Sequence, residues 1–192
     1  MSVRYVKRAK AAQTLVRSLR IPGTMNSEFK PLKWPPGRAC KSTTNGHCYK
    51  AVLYKGQCGN FPTEFHRFLS KLTKTRKSAL RGLIASTIRD ATLGQLDPVT
   101  RDGYGDRTGE VEQLARGGHK ILEVRLEERF NPPEELLPEK RLRLYFAEPD
   151  YPEIILFLLL EPKPVSGEGK IVQDAHIDEA VNRANDWWAS SH

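Results

Sequence analysis

Between Tyr49 and the C-terminus the spacing of apolar residues switches from a period of two to a period near 3.6 and back again. This succession restricts the fold more than any other feature of the chain. Tyr49 to Tyr54 (YKAVLY) reads as a strand, bounded by the turn pairs Asn45-Gly46 and Gly59-Asn60. Pro62-Thr63 then opens a helix with Phe65, Phe68, Leu69 and Leu72 on one face. A basic link, Lys71 to Lys77, leads to a second helix with the stripe Leu80, Leu83, Ile84 and Ile88, so the two should form a helix hairpin.

Residues 97–118 are rich in Gly and Asp and read as a long loop with room for one helical turn. Leu122, Val124 and Leu126 alternate with Glu123 and Arg125, which predicts a half-buried strand. The acidic, proline-containing stretch Asn131 to Lys140 interrupts, and Leu142, Leu144 and Phe146 then alternate with Arg141, Arg143 and Tyr145 as a further strand. Ile154 to Leu160 is continuously apolar, as expected of a central strand covered on both faces. Glu161 to Gly169 reads as a loop. The last helix carries Ile177, Val181, Ala184 and Trp188 on one side, with Asp174 as its expected N-cap. The order predicts an α+β layer fold, with the helices on one face of the sheet and the other face free for a ligand.

Charge divides the 192 residues differently. Residues 1–47 hold ten Lys or Arg against a single acid, Glu28, a charge of +9. The rest of the chain has 21 basic and 22 acidic residues. This segment is expected to be a basic extension and linker, with residues 48–192 forming the domain. Residues 3–20 can form a basic helix that Pro22-Gly23 stops. Arg4, Lys7, Arg8, Lys10, Arg17 and Arg20 are the candidate RNA contacts, because phosphate binding needs clustered cations. Trp34 is expected to pin the linker onto the domain or to stack on a base.

No apolar run approaches the roughly 20 residues of a membrane span, and the first residues lack the apolar stretch of a secretory signal. The three cysteines, Cys40, Cys48 and Cys58, have neither the number of a disulfide framework nor the paired spacing of a zinc site. These features predict a cytoplasmic protein without membrane contact, metal or cofactor.

Four stretches in order carry a family resemblance: YKAVLYKGQCGNFPTEFHRFLSKL, GGHKILEVRL, KRLRLYFAEP, and IILFLLLEPKP followed by HIDEAVNRANDWW. Over residues 48–192 the chain resembles the HigB-like, phage-derived branch of the RelE/ParE toxin superfamily. The resemblance implies a RelE-like fold, with a small antiparallel-rich sheet, an N-terminal helix hairpin and a C-terminal helix packed on it. It implies the toxin of a toxin–antitoxin system: a metal-independent, ribosome-dependent mRNA endoribonuclease that inhibits translation and is held inactive by a cognate antitoxin. A homodimer within the toxin–antitoxin complex is compatible with it.

By the same resemblance Arg125, Arg143 and Lys163 are candidate phosphate clamps, and Tyr145 is placed to stack or to donate a proton. His119, His176 and His192 are alternative acid–base groups. The sequence departs from the family pattern where Glu161-Pro162-Lys163 stands for a pair of lysines. That departure keeps open a second reading, in which the same fold serves as a non-catalytic phage or host interaction protein that inhibits the ribosome or another target such as gyrase.

Overall fold

The computed structural model describes residues 40–44, 48–101, 107–116, 118, 120–126, 140–151, 153–165 and 168–191. The expected N-terminal helix over residues 3–20 and Trp34 lie outside the described residues.

Strand β1 (Lys50–Leu53) leads through a short hairpin, β2 (Lys55–Gly56) and β3 (Gly59–Asn60), into helix α1 (Phe61–Ser70). Asn60 caps α1 by accepting from the Thr63 amide at 3.1 Å, and Pro62 sits in the first turn, where its missing N–H costs nothing. Leu69 is buried, and Phe65, Phe68 and Leu72 pack against the core at its margin. Three residues later α2 (Lys74–Thr92) begins behind the Thr73 cap. Its stripe Leu80, Leu83 and Ile84 is buried, each large side chain contributing roughly 1.5–3 kcal/mol.

The region expected to be a loop contributes a strand to the main sheet. After the small ladder of β4 (Thr100–Arg101) and β5 (Arg107–Thr108), β6 (Val111–Gln113) pairs antiparallel with β7 (Leu122–Arg125). Gly109 makes this turn at φ +90°, a conformation that glycine adopts without strain. Strands β8 (Lys140–Ala147) and β9 (Ile154–Pro164) complete a five-stranded sheet of order β1-β9-β8-β7-β6. Only β1 with β9 is parallel, so the sheet is antiparallel-rich as expected. Ile154 to Leu160 is buried throughout.

Between β8 and β9 the register shifts at Tyr145/Phe146: Tyr145 faces Leu159 while Phe146 faces Phe157. Leu158 is the extra residue of a β-bulge. Its carbonyl accepts instead from Arg183 Nη1 at 3.0 Å.

The last helix, α3 (Gly169–Ser191), starts five residues before the expected cap, so Asp174 lies inside it. Lys163 belongs to the end of β9 and not to a loop. Helix α3 lies against β9, β8 and the β2–β3 hairpin, whereas α1 touches β9 and α2, and α2 touches β1. Trp188 is buried in the core, and Trp187 packs at its edge.

Residues 40–44 are fastened to the same domain, so its packing begins before the boundary at residue 48. A short 3₁₀ turn, Lys41–Thr43, presents two successive amides to one buried carboxylate: Lys41 and Ser42 donate to Glu148 at 2.8 and 2.9 Å. The buried Lys41 Nζ donates to the Pro149 and Tyr151 carbonyls, both at 2.9 Å. Beside it, burial pushes the Cys40 thiol up to about 12, so it stays protonated and inert.

Candidate functional site

Cross-strand register assembles the site. Glu123 on β7 faces Tyr145 on β8, and Arg125 faces Arg143. Arg143 in turn faces Glu161 on β9, and Arg141 faces Lys163. Directly paired residues share a face, and the alternation of each strand places Glu123, Arg125, Arg143, Tyr145, Glu161 and Lys163 together. The first turns of α3 lie over this face and bring down Gln173 and His176.

Glu123 is the centre of the group and only 1% exposed. Its Oε1 pairs with Arg143 Nε at 3.0 Å. Its Oε2 accepts from Gln173 Nε2 at 2.6 Å, and Gln173 Oε1 accepts from Lys163 Nζ at 2.7 Å. The fully buried Tyr145 ring meets His176 edge-on, with centroids 6.1 Å apart. The Tyr145 hydroxyl is hydrogen-bonded to the Glu123 carboxylate, whereas His176 Nδ1 is buried without a hydrogen-bond partner. Arg125 Nη2 turns to the rim and donates to Glu112 at 2.8 Å.

These surroundings set the protonation states. Burial raises the Glu123 carboxyl above its ordinary value, against the pull of Arg143, Gln173, Tyr145 and Lys163. Burial, and then the Glu123 charge, raises the Tyr145 phenol, which therefore stays protonated. Burial lowers the His176 imidazole, so it is neutral at pH 7. The result is a carboxylate of raised basicity, a neutral imidazole, a phenol and an ammonium within one cluster, the set that proton transfer needs. Among the described residues no group of His, Cys, Asp and Glu could hold a metal ion.

Of the expected site residues, Arg143, Tyr145, Lys163 and His176 come together, and Arg125 lies on the same face but is held at the rim by Glu112. His119, His192 and the candidate RNA contacts Arg4, Lys7, Arg8, Lys10, Arg17 and Arg20 lie outside the described residues. The expectation that this face is open is corrected, because α3 packs on it and Arg143 is only 6% exposed. An arginine alternating with apolar residues pointed to a solvent face, but the buried acid across the ladder draws it inward.

Sequence reasoning missed Glu123 and Gln173. Glu123 shares the alternation of Arg125 in ILEVRL, so the pattern contained it, whereas nothing local marks Gln173. No helix among the described residues is long and apolar enough to cross a membrane. No family model, curated protein or solved structure matches the chain.

Proposed function

We propose that this chain is a cytoplasmic, metal-independent endoribonuclease that cuts mRNA at the ribosome, a toxin of the RelE/HigB-like kind neutralised by an antitoxin. The order strand, two helices, antiparallel strands and a closing helix supports a RelE-like fold. The observation that carries the activity is the Glu123 carboxylate, made more basic by burial and set beside Lys163, Arg143, Tyr145 and His176.

In this reading Glu123 takes the proton of a ribose 2′-hydroxyl. The freed oxygen forms a bond to the adjacent phosphorus, and the bond from phosphorus to the 5′-oxygen breaks. Lys163 and Arg143 face the charge that builds on the phosphoryl oxygens. A protonated His176 supplies the proton to the departing oxygen. Burial makes that form scarce at neutral pH and correspondingly ready to release its proton. The basic segment 1–47 adds phosphate contacts whose strength falls with salt.

A specific observation favours a second reading. Both arginines of the site are paired with the protein's own acids, Arg143 with Glu123 and Arg125 with Glu112, beneath or beside α3. A chain of this fold could bind and block the ribosome, or another target such as gyrase, without cutting RNA.

Purified protein added to ribosomes translating a defined mRNA, with 5′-ends mapped by primer extension, separates the two. The nuclease reading expects in-frame cuts that fall at least ~100-fold in Glu123→Gln. Arrest without cuts favours the binding protein. Neither arrest nor cuts overturns both readings.

A further inference from the structure

The slot between Glu123 and Lys163 is spanned by the Gln173 carboxamide, which donates to the acid at 2.6 Å and accepts from the ammonium at 2.7 Å. A hydroxyl offers the same pair of functions in a single group, one donated hydrogen and a lone pair. We propose that Gln173 occupies the subsite of a substrate ribose 2′-hydroxyl, and that residues 169–178 of α3 are a lid that withdraws it. This inference rests on the reading of the protein as acting on RNA.

Three further observations support it. The two halves of α3 are fastened in different ways. In the C-terminal half the buried Arg183 donates to Glu179, Glu64 and the Leu158 carbonyl, and Asp186 accepts from the Tyr54 hydroxyl at 2.6 Å. The N-terminal half is joined to the β6–β7 turn by an exposed pair, with Arg116 donating to both carboxylate oxygens of Asp178 at 2.9 and 2.7 Å and lying 3.4 Å from Asp174. Exposed pairs of this kind are screened by water and salt and hold weakly.

Two apolar side chains at this end face solvent, while Ile177, nearer the anchored half, is buried in the core. Ile171 is 74% exposed, and Val165, just before the helix, is 60% exposed. Finally, His176 Nδ1, buried under the lid, has no hydrogen-bond partner in the closed arrangement. A polar substrate group admitted to the cluster would supply one.

Hydrogen exchange and binding of a short single-stranded RNA, compared with its 2′-deoxy counterpart, test the proposal on the full chain. In Arg116→Ala, which leaves the buried cluster intact, amides of residues 169–178 should exchange about tenfold faster while 179–191 keep the wild-type rate. In Gln173→Ala the ribose oligonucleotide should bind about tenfold tighter, with no gain for the deoxy form. A uniform change along α3 overturns the lid. An equal gain for both oligonucleotides, or none for either, overturns the hydroxyl subsite. Neither readout involves cleavage, so ribose-selective binding with uncut RNA would sustain the subsite and sink the nuclease reading.

Discussion

The Tyr54 hydroxyl donates to Asp186 across 132 positions of sequence, at 2.6 Å, and also accepts from the Cys58 amide at 3.0 Å. This one contact joins the end of β1, the β2–β3 hairpin and the C-terminal half of α3. Gln57 adds its amide to the same carboxylate at 3.1 Å. Burial and the bond to Asp186 raise the Tyr54 phenol, so it remains a donor throughout the physiological range.

Gly56 lies so close to this junction that a Cβ there would collide with Asp186 Oδ2 and the Tyr54 hydroxyl. Gly56→Ala should therefore lower stability by about 1–3 kcal/mol, the usual range for overpacking, seen as a fall in Tm. Gly82, whose Cβ would meet nothing, is the control, and Gly82→Ala within α2 should raise stability by roughly 0.5–1 kcal/mol.

Arg143→Ala should destabilise the protein by about 3–5 kcal/mol, because it strands the Glu123 carboxylate in the interior. The double variant Glu123→Gln/Arg143→Met should unfold at a clearly higher denaturant concentration than Arg143→Ala. A loss of activity in Arg143→Ala alone therefore reports on folding as much as on chemistry. Equal midpoints for the single and double variants would mean that the pair contributes nothing as a pair.

Glu148→Gln should loosen residues 40–44. The amide group of glutamine retains one acceptor and turns a second donor toward the Lys41 and Ser42 amides. Trypsin should cut after Lys41, whose ammonium is buried against the Pro149 and Tyr151 carbonyls, about tenfold faster than in wild type. Burial raises the Glu148 carboxyl in the fold, so its contribution to stability falls as pH rises through the window above the ordinary carboxylate value.

His176 has the opposite sign. Its folded-state proton affinity lies below the ordinary value, so the unfolded chain takes up the proton first as pH falls below about 6.5. The stability margin of wild type over His176→Gln should shrink between pH 7.5 and pH 5.5. The imidazole C–H signals followed by NMR should titrate below the ordinary histidine range. A midpoint at or above it would contradict the buried, neutral imidazole.

Much of the fold was legible because its signals are local. The stripe Leu80, Leu83 and Ile84 and the alternation Leu142, Leu144 and Phe146 each state a period that one element satisfies by itself. The three-residue strand β6 was not legible. VEQ follows the turn at Gly109, and it becomes a strand only because β7 offers it a ladder. The start of α3 was misplaced for a similar reason: Asp174 has the chemistry of a cap, but in the fold it sits in the helix interior and approaches Arg116.

The candidate site was half legible. Arg143, Tyr145 and Lys163 follow from strand alternation, and so in retrospect does Glu123. That α3 lies over them is a matter of tertiary docking, which no period records. Gln173 reads in the sequence as an unremarkable polar residue of a helix, and only its place between an acid and an ammonium gives it a role.

The bulge at Leu158 fixes a parity. One residue more than the ladder requires stands between Phe157 and Leu159, and every side chain beyond it changes sides relative to those before it. Were Leu158 taken into the ladder opposite Tyr145, Glu161 and Lys163 would turn to the opposite layer of the sheet, away from Glu123 and Gln173, and Arg183 would lose the carbonyl it now holds. The pairing of the acid and the ammonium across the candidate site thus depends on a single count in the backbone of β9.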